Sequence, residues 1–351
     1  MTAVAGPTPR FTYDLPPVLE ATEPPEARGM TRDAVRMLVA SRGDGAVVPS
    51  SFTFLPRFLE AGDTVVVNTS GTIPAAIDAT AADGTVLVVH LSTRLDGSRW
   101  AVEPRRVDGP TTRRWEGPLP GHHLDLAGGA TLDLEEPFGD RERLWVARLH
   151  TDRRVLSWLA VHGRPIRYGY VTRAWPIQDY QNVYATEPGS AEMPSAGRPF
   201  TPGMITRLVA KGVAVTPLVL HTGVASLEAD ELPYPERVRV PPWTADRVNE
   251  AHRGGHRVIA VGTTVVRALE TAAEADGSVR PYDGWTDRVV STEEPVRVTD
   301  GLLTGWHEPA SSHLLMLEAI AGPELLRRSY RAALAEGYRW HEFGDVHLIL
   351  P

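Results

Sequence analysis

The chain lacks cysteine altogether and has a single lysine, Lys211, among its 351 residues. The absence of cysteine excludes thiolate nucleophiles, disulfides, iron–sulfur clusters and cysteine-ligated zinc. A Schiff-base mechanism would have to use Lys211, and the sequence contains no Walker phosphate-binding loop. No apolar run approaches the roughly 18–20 residues that span a membrane, and the first ten residues lack the pattern of a signal peptide. We therefore expect a cytoplasmic protein.

Basic residues are outnumbered, 36 against 44 acidic residues, which gives a formal net charge of −8. This balance disfavours a general nucleic-acid coat protein but leaves room for a local basic patch. The stretches 99–115 and 141–154 each contain five arginines and two acidic residues. They form either an RNA-facing patch or the solvated surface of an arginine-rich protein.

The 12 histidines show no spacing typical of a metal site. The HExxH pattern is absent, and the pair His252 and His256 is separated by two glycines that would break a helix. We expect no bound metal.

The distribution of apolar residues divides the chain into two parts with different hydrophobic patterns. Between residues 63 and 150, short runs rich in Val, Leu and Trp alternate with turns such as Asp83-Gly84, which is typical of a small antiparallel barrel or sandwich. From residue 152 onward helical and strand patterns alternate, which indicates a sheet covered by helices. We predict an α/β fold in which a large domain with a helix-covered mixed sheet (1–75 and 151–351) contains an inserted small antiparallel β-barrel domain (76–150).

The element boundaries follow from capping and breaking residues. Thr201 is the expected N-cap of one helix, with Pro202 at its first position and Gly212 at its end. Residues 11–60 are rich in proline and are expected to be irregular. Helices are predicted over 152–163, 201–212, 243–253, 264–275, 311–322 and 323–337, and strands over 213–221, 256–262 and 346–350, with two short strands between 286 and 299.

The segment Gly262-Thr263-Thr264 joins a predicted strand to a predicted helix. Free N–H groups at that helix start and the two hydroxyls suit an anionic ligand group, and Arg267 lies one turn further on. The same pattern also describes an ordinary strand–helix unit in which Thr263 or Thr264 is the N-cap.

Two loops carry aromatic and imidazole groups. The loop before residue 311 contains Trp306 and His307, which we expect to be an exposed pair suited to stacking and proton transfer, or else a core tryptophan beside a surface histidine. A Pro/Gly/Ser-rich loop follows Tyr180 and Tyr184, and its length suits a functional loop as well as a plain connection.

Taken together, these segments resemble one family, the S-adenosylmethionine:tRNA ribosyltransferase-isomerases of queuosine biosynthesis. The resemblance extends from about residue 11 to residue 350 and is weakest in the β insertion. It rests on blocks that follow the family's order and spacing, namely residues 13–16, 62–63, 66–68, 73–75, 180–181, 184–185, 262–264, 267–270, 285–287, 300–304, 338–339 and 344–345.

The resemblance implies a reaction. A ribosyl unit moves from S-adenosylmethionine, the co-substrate, to the aminomethyl group of a deazaguanine in tRNA, and it is isomerised to an epoxycyclopentanediol while adenine and methionine leave. The sulfonium acidifies the C5′ hydrogens, so one base and good positioning would start the reaction without a metal.

Several polar positions depart from the family pattern. The block at 68–76 lacks one carboxylate and two arginines of the family pattern. The loop at 194–201 has Pro199 in place of a histidine, and the His-Ser-Glu motif keeps only Glu236. These losses leave three readings open. The chain acts on tRNA, or it is a diverged paralogue that uses S-adenosylmethionine on a free small molecule, or it is a binding protein without activity.

The family pattern also supplies candidate site residues. His307 is the preferred general base because it precedes a helix N-terminus that would lower its pKa. The other catalytic candidates are His221, Glu236 and Asp345. The substrate-binding candidates are Asn68, Ser70, Tyr180, Gln181, Tyr184, Ser195, Gly197, Gly262, Thr263, Thr264, Arg267, Thr286, Asp287, Thr304 and Trp306. The sequence leaves the oligomeric state open.

Overall fold

A nine-stranded mixed sheet forms the centre of the computed structural model, which describes residues 11–109, 111–139, 143–224, 233–309 and 311–351. In spatial order the strands are β16 (Tyr282–Thr286), β14 (Glu236–Val240), β13 (Ala214–Leu220), β3 (Thr64–Asn68), β15 (Val258–Val261), β17 (Gly301–Gly305), β18 (Val346–Leu350), β1 (Arg36–Ser41) and β2 (Val47–Ser51). The neighbouring pairs β13–β3, β3–β15, β15–β17 and β18–β1 are parallel, and the remaining pairs are antiparallel.

A second, antiparallel sheet of seven strands contains a closed barrel of six strands, which confirms the predicted fold class. Closure comes from the pairing of β11 with the first half of β7, while β8 pairs with the second half. The strands are β5 (Ala76–Ala81), β6 (Val86–Asp96), β7 (Arg99–Asp108), β8 (Thr111–Arg114), β9 (His123–Leu126), β10 (Thr131–Pro137) and β11 (Trp145–His150). A short parallel pair of strands, β4 (Ser70–Thr72) and β12 (Glu187–Ser190), forms a third sheet. In sequence, β4 follows β3 of the large sheet and precedes β5 of the barrel.

The described ranges contain six α-helices. The Thr201 hydroxyl accepts from the Met204 N–H at 3.0 Å, so the predicted cap of α2 is confirmed. The predicted threonine cap of α4 is wrong, because Gly262 at φ 91° is its N-cap and no side chain caps it. The helices are α1 (Val155–His162), α2 (Pro202–Ala210), α3 (Pro242–Arg253), α4 (Thr263–Ala272), α5 (His313–Ala321) and α6 (Pro323–Ala335). None of the helices in the described ranges is long and apolar enough to cross a membrane.

Two stretches differ from the sequence prediction. The segment expected to be irregular contains β1 and β2, since the apolar run at its centre pairs with the C-terminal strand β18. Only one strand, β16, lies near 286–299, and it ends where two strands were expected to begin. Further along this segment, backbone N–H groups bond to a side chain and not to a neighbouring strand. The buried Glu270 carboxylate accepts hydrogen bonds from the N–H groups of Arg297, Val298 and Thr299 at 2.7–3.1 Å.

The two faces of the large sheet bury separate apolar clusters. Val66, Ala260 and Leu302 pack with α3 to α6 on one face, and Val65 and Leu303 pack with α2 on the other. Because β3, β15 and β17 run parallel, their carboxyl ends meet at one edge of the sheet. Functional groups collect at such an edge in α/β folds.

Candidate active site

A cavity of about 260 Å³ opens at the carboxyl ends of β15 and β17. Its walls come from the start of α4, the loop after β17, the segment around Tyr168 and Tyr170, and the turn at residue 342. Ten predicted residues line it, namely Tyr180, Ser195, Glu236, Gly262, Thr263, Thr264, Arg267, Thr304, Trp306 and His307. The structure therefore brings most of the predicted groups together.

Several other predicted residues stand directly behind this wall. Asn68, at the end of β3, donates to Thr264 Oγ1 at 3.3 Å and accepts from the Leu220 N–H at 3.0 Å, so it orients a residue of the wall. Ser70 Oγ lies 2.7 Å from His221 Nδ1, and burial lowers the pKa of that imidazole. This pair supports the cavity from outside and does not line it.

Gln181, Tyr184 and Gly197 also lie outside the cavity lining. The Gln181 side chain bonds both the N–H and the carbonyl of Thr72, at 3.0 and 2.7 Å. Gly197 is required because a Cβ there would lie 1.9 Å from the Tyr184 hydroxyl. These residues hold the loop that presents Ser195.

Thr286, Asp287 and Asp345 are not brought to the cavity either. Thr286 is buried and Asp287 is exposed. The Asp345 carboxylate accepts from the backbone N–H groups of Arg36 and Arg339 at 2.7 and 2.8 Å, while burial raises its pKa. Asp345 thus ties β1 to the turn before β18.

His307 lies half-buried in the cavity wall and Trp306 beside it is buried, so the expected exposed Trp–His pair does not form. Its Nε2 is 2.9 Å from Thr304 Oγ1, and its ring stacks on His313 with centroids 4.5 Å apart. Burial holds the pKa of His307 well below its ordinary value, with smaller contributions from His313, His341 and His347. The imidazole is therefore neutral at pH 7, through burial and not through a helix end.

Trp306 is 2% exposed and belongs to a packed aromatic group. Its ring stacks on His347 with centroids 4.7 Å apart and meets Tyr330 edge-on at 4.9 Å. The tryptophan therefore fixes the loop that carries His307.

Arg267 and Glu236 pair with each other across the cavity wall, and both side chains are largely buried. Arg267 also donates to the carbonyls of Arg288 and Thr286, and Glu236 accepts from the Gly223 N–H at 2.7 Å. Their charges are thus compensated within the protein.

The sequence patterns did not identify a row of acidic and aromatic groups that also belongs to the cavity wall. Tyr170 donates to Glu342 Oε2 at 2.5 Å, and its ring stacks on His341 with centroids 3.8 Å apart. Tyr168 donates to Glu192. His341 has φ 71°, a strained left-handed conformation for a residue with a side chain, and it places Glu342 in the wall.

The cavity wall is acidic and suits a cationic ligand. Four glutamates line it, Glu192, Glu236, Glu308 and Glu342, and burial raises the pKa of the last two. The two arginines in the wall, Arg267 and Arg288, form ion pairs with glutamates. The pKa values of His307, His313 and His341 are lowered by burial, so these imidazoles add no charge at pH 7.

The sequence signals for this row were weak. Tyr168-Gly169-Tyr170 is a short aromatic pair in a loop, and His341-Glu342 matched no metal pattern. Within the described residues, no group of three or more His, Asp or Glu side chains is arranged to hold a metal ion.

The two arginine-rich stretches form less of a surface patch than their composition indicates. Arg105 and Arg143 are buried against Glu103, at 2.7 and 3.0 Å. Arg148 pairs with Glu135 at the surface. Arg141 lies outside the described residues.

Comparisons with known proteins agree along the length of the chain. A family model described as queuosine biosynthesis protein matches residues 8–349. Two proteins named S-adenosylmethionine:tRNA ribosyltransferase-isomerase, from Symbiobacterium thermophilum and Moorella thermoacetica, are each 36% identical to this chain, covering 97% of it and 98% of their own length. The crystal structure of S-adenosylmethionine tRNA ribosyltransferase from Thermotoga maritima matches with a TM-score of 0.55 and 28% identity, over 97% of this chain and 99% of that one.

Proposed function

This chain belongs to the family of queuosine biosynthesis proteins, and on that premise we propose that it is an S-adenosylmethionine:tRNA ribosyltransferase-isomerase. It transfers the ribosyl unit of S-adenosylmethionine to the aminomethyl group of a deazaguanine base in tRNA and isomerises it to the epoxycyclopentanediol of epoxyqueuosine. Adenine and methionine leave.

The acidic cavity is the structural observation that carries this proposal. The donor is a sulfonium cation, and the acceptor amine, like a lysine side chain, is protonated at neutral pH. Glu308 and Glu342 face both cations from a wall whose arginines are already paired. A buried carboxylate is stabilised by a cation placed beside it, so binding of either substrate favours ionisation of these groups.

His307 is the proposed general base of the first step. In the tautomer whose Nε2–H donates to Thr304 Oγ1, Nδ1 keeps a lone pair that can take a C5′ proton from the donor. The sulfonium makes that proton acidic, and the buried environment keeps the imidazole unprotonated beforehand. The stack on His313 holds the ring orientation.

The Gly262–Thr264 turn is the proposed binding site of the donor. Thr263 and Thr264 place their hydroxyls and the first N–H groups of α4 at the cavity, where the carboxylate of the methionine portion would be held. Asn68 fixes Thr264 from behind. The acceptor base then lies toward Tyr170, Glu342 and His307, on the other side of the cavity.

Adenine release tests the proposal when it is measured with three acceptors. The purified protein is incubated with S-adenosylmethionine alone, with tRNA carrying the aminomethyl deazaguanine, and with the free deazapurine. We expect adenine and methionine in equal amounts with the tRNA only. Release with the free base but not with tRNA would assign the chain to a small-molecule pathway, and release with neither would leave it without this activity.

A further inference from the structure

A second cavity, of about 160 Å³, lies between the β-barrel and the segment that follows α1. It shares two wall residues, Pro165 and Tyr180, with the first cavity, so the two are adjacent compartments. Asp78 and His90 face it from the barrel, and Arg164, Arg167 and Trp175 face it from the other side.

His90 is buried in the wall of this cavity, with 3% of its surface exposed. Burial holds the pKa of His90 well below its ordinary value, and Arg105, Arg164 and Arg143 lower it further. Arg105 and Arg143 are themselves paired with Glu103, so the charge that this cavity offers a ligand has to come from other residues of its wall.

Two donors in the wall are incompletely used. Trp175 Nε1 is buried and has no hydrogen-bond partner among the described residues, and the Arg173 guanidinium lies 3.9 Å over the indole ring. Arg164 is held by Asp78 at 2.6 Å. Arg167 is half-buried and has no acidic partner among the residues that the structure describes. An anion in this cavity would satisfy the Trp175 and Arg167 donors together.

We propose that the second cavity binds a backbone phosphate of the tRNA while the target base occupies the first cavity. The inference rests on the proposed function and locates the RNA strand relative to that site. Four glutamates line the first cavity and its two arginines are already paired with carboxylates, whereas the adjacent compartment offers a guanidinium and an indole N–H. Base and phosphate thus separate on either side of Tyr180, and phosphate contacts of this kind set the register of a nucleic acid.

Binding of tRNA carrying the aminomethyl deazaguanine is measured for wild type, Arg167→Ala and Trp175→Phe over a range of salt. Arg327→Ala is the matched control, because Arg327 is an exposed arginine of α6 that pairs with Glu324 and lines neither cavity. We expect Arg167→Ala to bind tRNA about tenfold more weakly than the control. We also expect its salt dependence to fall by roughly 0.7–0.9 in log–log slope. Affinity for S-adenosylmethionine should stay at the wild-type value.

The outcomes separate the two proposals. A wild-type protein that binds no tRNA overturns the proposed function and this inference with it. Wild-type tRNA binding with Arg167→Ala equal to Arg327→Ala overturns the phosphate site alone. Inorganic phosphate serves as a further probe: if it binds wild type and loses affinity in Arg167→Ala while tRNA affinity is unchanged, the cavity takes a free anion and the RNA assignment is wrong. If Arg167→Ala does not fold, Trp175→Phe, which keeps the ring and removes the N–H, gives the same test with a smaller expected loss.

Discussion

At the scale of single residues, burial decides which groups can act and which are structural. His307 is half-buried with Thr304 as its side-chain partner, and desolvation of its ring holds its pKa well below the usual value. Arg267 is buried in an ion pair and two carbonyl bonds. A neutral imidazole can accept a proton, whereas the Arg267 guanidinium already directs three of its five N–H donors at groups of the protein.

Replacing His307 by glutamine tests the assigned base. His307→Gln removes the proton acceptor but keeps a polar side chain, so turnover should fall by about 10²–10⁴ while affinity for S-adenosylmethionine stays nearly unchanged. Adenine release under saturating substrates and calorimetric titration give the two numbers. His252→Gln is the matched control, since His252 pairs with Asp300 and lines neither cavity. Wild-type turnover in His307→Gln would transfer the role to Glu236 or to a group such as Glu342.

Replacing Arg267 by alanine tests whether this residue is structural. Arg267→Ala leaves the Glu236 carboxylate buried without its cation, which costs about 3–5 kcal/mol of unfolding free energy. The double variant Arg267→Met/Glu236→Gln should recover much of that loss. Urea denaturation measures both. A stable Arg267→Ala protein with weakened binding of S-adenosylmethionine would show that the guanidinium serves the ligand instead.

Local sequence patterns predict only some of the residues that line the first cavity. The glycine–threonine turn and the His307 loop are contiguous, so their chemistry is visible in the sequence. Glu192, Glu342 and Tyr170 come from three separate segments that meet only after folding. The pairing of Arg267 with Glu236, 31 positions apart, is likewise a tertiary contact.

At the scale of elements, capping and periodicity predict the helices well, and strand pairing is harder to predict. Thr201 begins α2 as expected, and α5 and α6 meet at Gly322, where φ is 79°. The short strand β1 was missed because six residues between proline-rich segments have no distinctive period. Its partner, β18, lies some 310 positions away.

Strand β18 carries a buried histidine that should make the large sheet sensitive to acid. His347 is fully buried, neither ring nitrogen has a hydrogen-bond partner, and burial lowers its pKa to about 3. The folded state therefore excludes a proton that the unfolded state binds below about pH 6.5. Stability from this group is complete above that pH and is lost as the pH falls toward 3.

Denaturation of wild type and His347→Phe between pH 4 and 7 measures this contribution. In the wild type the unfolding free energy should fall with pH, and the histidine accounts for up to about 1.4 kcal/mol per pH unit of the slope. His347→Phe keeps a ring stacked on Trp306 and removes the proton site, so its slope should be smaller by that amount. Equal slopes would mean that the imidazole is not buried and neutral.

At the scale of the whole molecule, the barrel and the large sheet bury separate apolar clusters. The barrel cluster includes Trp158 and Leu159 of α1, although α1 lies outside the predicted insertion at 76–150. The first cavity opens at the ends of the large sheet, and the second cavity lies between the barrel and the segment after α1. Ala76 and Arg164 exchange two backbone hydrogen bonds, which tie that segment to the barrel beside the second cavity.

Hydrogen exchange in Trp158→Ala tests whether 76–150 behaves as a separate folding unit. Removing this fully buried ring costs about 3–5 kcal/mol, which should fall on the barrel. We expect faster exchange of the β6 and β7 amides and unchanged exchange in β3 and β15. A uniform loss of protection in both sheets would show one cooperative unit and contradict the domain division.

The most direct measurement is the fate of the donor's ribose carbons. S-adenosylmethionine labelled in the ribose is incubated with this protein and tRNA carrying the aminomethyl deazaguanine, and the nucleosides of the recovered tRNA are analysed by mass spectrometry. We expect the label to appear in the modified deazaguanine as an epoxycyclopentanediol, in an amount equal to the adenine released. Label that stays out of the tRNA while adenine is released would contradict the proposed transfer.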